Sequence, residues 1–252
     1  MPEAPRTAVD KALDLVEAVT RAPRPVRLTD LAGEVGLHRA TAYRILLDLV
    51  RRGWVLRAGD RYLPGTAVLR MSAAAAGNSL TALARPVLRD LSDVTGMMVN
   101  LQVLETDRAR VIDVVRPERL AMISHLLGEA LPVHRFAGPL ALVAALDPAA
   151  RAPYLRPAED DGYPLDGDAG LLADIARTER TGIAVERGRN EKLVSSISGA
   201  VTPGPGAPVC ALTVVGPDAE FEEARLPALE QALRDAGERL RRILTDPQGG
   251  TA

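Results

Sequence analysis

The chain has 252 residues, 47% hydrophobic but only 3% aromatic, so it can bury one large or two smaller aliphatic cores, which excludes disorder over most of its length. No run approaches the roughly 18 apolar residues that span a bilayer, no apolar block follows a basic one in MPEAPRTAVDK, and Cys210 is the only cysteine. A leader, a membrane partner, a disulfide framework and a multi-cysteine metal site are therefore not expected; a cytoplasmic protein without a cofactor is.

The net charge of −2 conceals an asymmetry: residues 1–70 hold 12 Lys/Arg against 8 Asp/Glu, and the remainder 19 against 25. A basic head suited to a polyanion precedes an acidic body. In VDKALDLVEAV, the residues Val9, Leu13, Val16 and Val19 recur at helical spacing, and Pro23 and Pro25 end the segment. Thr29 reads as the N-cap of a short helix, LTDLAGEVGL, closing at Gly36. A third helix follows over HRATAYRILLDLVRR, with His38 at its cap and Gly53 at its end. At about 100° per residue it turns Ala42, Ile45, Leu46 and Leu49 inward. It displays Ala40, Arg44 and Arg51, flanked by Arg39, Thr41 and Tyr43; Leu47 falls near the displayed side without a sequence account. WVLRAGDRYLPG then reads as a hairpin turning at Ala58, Gly59 and Asp60, with Arg57 and Arg61 beside the turn.

Three short helices, a turn glycine and a basic hairpin compose a winged helix-turn-helix, a module that docks on double-stranded operator DNA. Arginine can read guanine bidentately, small residues permit close approach, and hydroxyls hold phosphates or base edges. The candidate DNA contacts are Thr29, Arg39, Ala40, Thr41, Tyr43, Arg44, Arg57 and Arg61. Each arginine alone reads as solvated basic surface; the whole constellation reads as a nucleic-acid interface. One recognition helix serves each half-site, so a homodimer is expected, and dimers could pair further.

Residues 65–84 are rich in helix formers, with a weak point at Gly77, Asn78 and Ser79. The expected organisation is a DNA-binding domain over 1–70, a linker helix over 71–84 and an effector and oligomerisation domain over 85–252. The rear part alternates helices and β-rich runs: helix ARPVLRDLSDVT, a hairpin of MVNLQVLE and RARVIDVVR, and a mainly helical LPVHRFAGPLALVAALD. Loop PLDGDAG, helix LLADIARTER, strands GIAVE, VSSISGAV and VCALTVVG, and a terminal helix from about Glu220 to Leu244 follow. The fold class is α/β (α+β). His38, His125, His134 and Cys210 lack metal-ligand spacing, Cys210 suits a buried thiol, and Asp160, Asp161, Asp166 and Asp168 read as a solvated loop.

The order VDKALDLVEAV, LTDLAGEVGL, RATAYRILLDLVRRGWV, DRYLPG resembles the IclR family of bacterial transcriptional regulators, as do GEALPVHRFAGPLALVAAL, TGIAVERGRNEKLVSSISGAV and VCALTVVGP behind it. The resemblance implies a GAF-like C-terminal domain with an antiparallel sheet that binds a small-molecule effector. It maps the family's recognition-helix motif onto Arg39, Ala40, Thr41, Ala42, Tyr43 and Arg44. It maps the pocket carboxylate onto Glu186, a pocket cysteine onto Ser196, two pocket serines onto Thr213 and Val215, and the ligand-receiving amides onto Phe136, Ala137 and Gly138. Departures stand at Arg135, Phe136, Pro139, Gly188, Arg189 and Val215, so an organic acid and a larger, less polar or differently charged effector both stay open. From the residues alone, Arg135 or Arg189 near a helix start would favour an anion. Ser196 and Thr213 either line a cleft with Met122 and Leu212 or face solvent as ordinary strand residues. The expected function is an effector-modulated repressor. The alternatives are a small-molecule enzyme, which lacks a paired base and nucleophile, and a protein-binding winged helix.

Overall fold

The computed structural model describes residues 6–68, 71, 79–204 and 207–246. Helix α1 (Ala8–Arg21) opens on a capping box: the Asp10 amide donates to the Thr7 hydroxyl at 3.1 Å, and the Thr7 amide donates back to the Asp10 carboxylate at 2.7 Å. Its buried residues are Leu15, Ala18 and Val19. Val9 and Leu13, expected on that face, are 66% and 57% exposed. A three-four spacing fits two adjacent stripes of one helix, and the core took the stripe through Leu15.

Strand β1 (Val26–Arg27) runs directly into α2 (Leu28–Glu34), so Arg27 is the N-cap, with no side-chain cap bond. This corrects Thr29, which lies exposed in the first turn with its hydroxyl donating to Asp30 at 3.3 Å. Helix α3 (Arg39–Arg51) starts from His38 and buries Ala42, Leu46 and Leu49. Gly36 and Gly53 adopt the left-handed φ values, +63° and +75°, that turn the chain out of α2 and α3. Strands β2 (Val55–Ala58) and β3 (Arg61–Pro64) form the hairpin, and β3 pairs with β1 in a three-stranded sheet ordered β1-β3-β2. Leu15, Val19, Leu31, Leu46, Val55 and Tyr62 meet in one core. Gly65 closes it: a Cβ there would lie 2.1 Å from the Gly53 carbonyl oxygen.

These elements belong to a unit spanning residues 1–79; a second spans 80–252. Residues 72–78 of the linker helix expected over 71–84, Gly77 and Asn78 among them, lie outside the described residues. Its described end, from Leu80, is the start of α4 (Leu80–Thr95), which packs into the second unit.

The second unit is built on a six-stranded antiparallel sheet ordered β6-β5-β4-β9-β8-β7. The strands are β4 (Met98–Leu104), β5 (Ala109–Val115), β6 (Ala130–Leu131), β7 (Ala184–Arg187), β8 (Val194–Val201) and β9 (Cys210–Pro217). On one face α4 and α8 (Leu226–Thr245) bury Leu88, Leu91, Leu233 and Leu240 against Leu101, Ile197, Leu212 and Val214. Near the other face α5 (Ala137–Ala144) and α7 (Leu171–Thr181) pack Leu140, Leu171 and Ile175 with Ala184. Cys210 sits in the first of these layers, where burial pushes its thiol to about 12, an inert side chain.

Three elements depart from the sequence reading. Residues 131–136, expected in a helix, pass from β6 through turns, and α5 begins only at Ala137. Helix α6 (Ala152–Asp160) takes in Asp160, the first of the four acidic residues expected in a loop; Asp161, Asp166 and Asp168 stay outside helices. Helix α8 starts at Leu226 instead of Glu220, because a proline at its first turn pre-sets the helical φ while Asp218–Phe221 forms a separate 3-10 turn burying Phe221.

Candidate nucleic-acid interface and ligand pocket

Burying Ala42, Leu46 and Leu49 forces the remaining α3 residues outward. Arg39, Ala40, Tyr43, Arg44 and Leu47 are exposed, and Thr41 is half-buried. Among the described residues neither Arg39 nor Arg44 has an intramolecular hydrogen bond or ion pair, so both guanidinium groups are available to a partner. The hairpin arginines differ. Arg57 Nε donates to the Gly59 carbonyl at 2.9 Å, and Arg61 Nη1 donates to the Pro25 carbonyl at 3.0 Å, so each is partly engaged in shaping the hairpin. Arg61 also shares a groove with Arg21, Arg24 and Arg27, which the sequence reading did not single out. Their three-residue spacing in RAPRPVR was the available signal.

In the second unit, four of the sheet residues that alternate away from α4 and α8 are polar. Asn100 and Gln102 on β4, Thr213 on β9 and Ser196 on β8 line a cavity of about 40 Å³ together with Phe136, Ala137, Gly138, Glu186 and Val215. In this measure roughly 10–15 Å³ admits one water, so the space holds a few waters or one very small molecule. Gln102 lies flat on the start of α5: a Cβ at Gly138 would come 2.2 Å from its Oε1. The alternation also corrects Leu212, which faces the opposite layer. Ser196 and Thr213 are buried, which removes the solvent-facing alternative.

Two further expected pocket residues do not line this cavity. Met122 is 80% exposed and belongs to a separate surface groove, because the turn after β5 buries its neighbours Leu120 and Ile123 instead. Arg135 is half-exposed and pairs with Asp161 at 3.4 Å, drawn there beside His134, whose Nε2 lies 3.0 Å from the same carboxylate. Arg189 is engaged as well, 2.6 Å from Asp174 and over the Tyr163 ring. Sequence reasoning missed Asn100 and Gln102, although amides two residues apart in an apolar strand mark one polar face.

Glu186, only 4% exposed, accepts from the Arg189 amide at 2.6 Å and from the Ser196 hydroxyl at 3.0 Å. Burial raises its carboxyl above the ordinary 4.5, outweighing the hydrogen bonds from Arg189, Ser196 and Asn190 that lower it. Below 4.5 folded and unfolded chains both hold the proton, so the group contributes nothing. As pH rises, the unfolded chain releases it first, and stability falls until the folded chain has released it too. We expect Glu186→Gln to remove this loss, so that its stability relative to the parent climbs with pH across that window and then levels off. Urea denaturation from pH 4 to pH 8 measures it; a difference independent of pH would contradict the assignment.

The pattern for the IclR helix-turn-helix domain matches residues 8–59, and that for the bacterial transcriptional regulator IclR C-terminal domain matches residues 72–242. The chain belongs to the IclR family of bacterial transcriptional regulators.

It is 31% identical to the HTH-type transcriptional regulator Rv1719 of Mycobacterium tuberculosis, over 84% of this chain and 83% of that one. It is 24% identical to the transcriptional repressor IclR of Escherichia coli, over 87% and 83%. A solved IclR-type regulator from Silicibacter superimposes with a TM-score of 0.70 at 28% identity, covering 95% of this chain and 96% of that one. An IclR homologue from Microbacterium hydrocarbonoxydans complexed with 4-hydroxybenzoate superimposes with a TM-score of 0.64 at 20% identity, covering 94% and 99%. The protein is accordingly a transcriptional regulator and not an enzyme, with a DNA-binding helix-turn-helix and an effector-binding C-terminal domain. Among the described residues no helix is long and apolar enough to cross a membrane.

Proposed function

We propose that this IclR-family regulator is a cytoplasmic repressor that holds operator DNA as a homodimer and changes its operator affinity when a small molecule enters the cavity beside Glu186. The observation that carries the reading is α3 itself: an apolar face locked into the core, Arg44 on the opposite face, and Arg39 and Tyr43 exposed at its flanks, all three free of internal partners. Arg44 fits base-edge readout, and exposed Ala40 and Leu47 suit apolar contact with a thymine methyl. The hairpin, through Arg57 and Arg61, and the first turn of α2, with Thr29, suit phosphate contacts. Self-association is favoured by the apolar groove between α1 and α3, where exposed Val9 and Leu13 adjoin Ile45 and Trp54. Repression would follow from occupancy of the operator, and regulation requires that the effector bind one arrangement of the dimer better than another, since equal affinity shifts nothing.

The test is binding of the purified protein to fragments of its own upstream region at several salt concentrations, followed by transcription from the retained fragment. Six to ten phosphate contacts would lower affinity by about 10³–10⁵ between roughly 50 and 200 mM salt, and transcription should fall as protein is added. Salt-independent binding would remove the DNA interface; increased transcription would remove the repressor assignment.

A further inference from the structure

Arginine is concentrated a second time in the first unit, outside α3. A groove of about 900 Å³ is lined by Arg21 at the end of α1, Arg24 in the connection to β1, Arg27 on β1 and Arg61 on β3; two carboxylates, Asp30 and Glu34 of α2, face into it as well. The guanidinium groups are weakly committed. Arg24 is exposed and, among the described residues, has no hydrogen bond or ion pair. Arg21 touches only Glu17 of its own helix, at 3.5 Å to the carbonyl and 3.9 Å to the carboxylate, and both side chains are 68% exposed. Arg27 faces Asp60 at 3.3 Å in open solvent, and Arg61 spends one N–H on the Pro25 carbonyl. Exposed pairs of this kind contribute about 0–1 kcal/mol, so an arriving phosphate can compete for them.

The connection from α1 to β1 is suited to presenting Arg24. Pro23 and Pro25 fix φ on either side of it, and each restricts the residue before it, so Ala22 leaves α1 in an extended conformation with φ −67° and ψ 127°. A stiff segment of this kind loses little backbone freedom when its arginine is bound. The place of the groove names the partner. Arg27 is the N-cap of α2, two residues before Thr29; Arg61 opens the strand that leaves the wing turn, and Arg27 meets Asp60 in that turn. The first turn of α2 and the wing are the elements that suit phosphate contacts. The arginine row continues that surface from the wing back to the end of α1.

We propose that this groove follows the DNA backbone beyond the operator core, with Arg24 holding a flanking phosphate without reading bases, an inference that rests on the operator-binding reading above. A guanidinium pairs bidentately with phosphate, and Asp30 and Glu34 keep the strand on the arginine side of the groove. The test uses the full-length protein and two duplexes. One is the shortest part of a retained upstream fragment that still binds; the other is that core lengthened at each end by arbitrary sequence of about 10 base pairs, one helical turn. Fluorescence anisotropy at several salt concentrations gives affinity and salt slope. The parent protein is expected to bind the longer duplex about tenfold more tightly at roughly 50 mM salt, the effect of about two added phosphate contacts. Arg24→Ala should remove most of that gain, reduce the salt slope on the longer duplex by about one for each head bound, and leave the core duplex unchanged. Arg24→Lys, which keeps the charge, should keep most of the gain, and Arg44→Ala should weaken the core while preserving it. Equal affinity of the parent for both duplexes, a gain that survives Arg24→Ala, or a loss on the core duplex in Arg24→Ala overturns the flanking contact while operator binding stands. If Arg24→Glu leaves both duplexes unaffected and yet abolishes control of transcription in vitro, the groove serves a protein and the inference falls. If the parent retains no fragment at all, the operator reading falls with it.

Discussion

Arg44→Ala is expected to cost about 1–3 kcal/mol of operator affinity and to flatten the protein's sequence preference. The side chain is exposed on α3, opposite Leu46, and has no internal partner to retain it. Its loss should therefore leave folding untouched and appear only against specific DNA. Arg61→Ala provides the contrast. Its guanidinium holds the Pro25 carbonyl, so truncation weakens all duplexes alike and also loosens the packing of β3 on the segment before α2. Fluorescence anisotropy on the operator and on a scrambled duplex, each at two salt concentrations, separates the two cases. If Arg44→Ala lost equal affinity for both duplexes, it would be a phosphate contact only.

Gly65→Ala is expected to destabilise the DNA-binding unit by about 3 kcal/mol, the upper part of the range for overpacking, because the obstruction is backbone and not a flexible side chain. The added methyl would lie 2.1 Å from the Gly53 oxygen and 2.6 Å from the Trp54 carbonyl carbon. Those atoms belong to the exit from α3, which the Gly65 amide ties down by donating to the Trp54 carbonyl at 2.9 Å. The clash would thus separate hairpin from recognition helix, and DNA binding should be lost with the head's stability. Denaturation of the variant should show an earlier transition for residues 1–79 with the second unit's transition unmoved. A wild-type profile would mean that the loop relaxes around the methyl and that the close approach is not essential.

Much of the front unit was legible because helix-turn-helix geometry is local. The spacing of Ala42, Leu46 and Leu49 sets the inner face of α3, and everything opposite follows from the helical repeat. Where two registers were compatible with the spacing, the sequence misled: α1 offers Val9–Leu13–Val16 as readily as Leu15–Ala18–Val19, and only the approach of α3 and β3 decides between them. Thr29 failed as an N-cap for a related reason, since β1 pairs with β3 and starts the helix two residues earlier.

In the second unit, Phe136, Gly138, Glu186, Ser196, Thr213 and Val215, which the resemblance to the family assigned to a pocket, line one cavity, although they come from the start of α5 and from β7, β8 and β9. Met122 and Arg135 fell outside it because neighbours in sequence need not share a cavity: one runs along the surface, and the other is captured by Asp161. Asn100 and Gln102 were overlooked because their strand reads as apolar until the alternation is assigned a face.

By itself the sequence determined the basic head and acidic body, the recognition helix and its displayed arginines, and the antiparallel strands behind them, because charge and periodicity act over a few residues. Only the tertiary structure decided which stripe of α1 is core, which arginines are free and which are held, and which polar atoms meet over Glu186. Those outcomes depend on partners brought from distant parts of the chain, and a buried group's protonation and hydrogen bonding are properties of its neighbours in space.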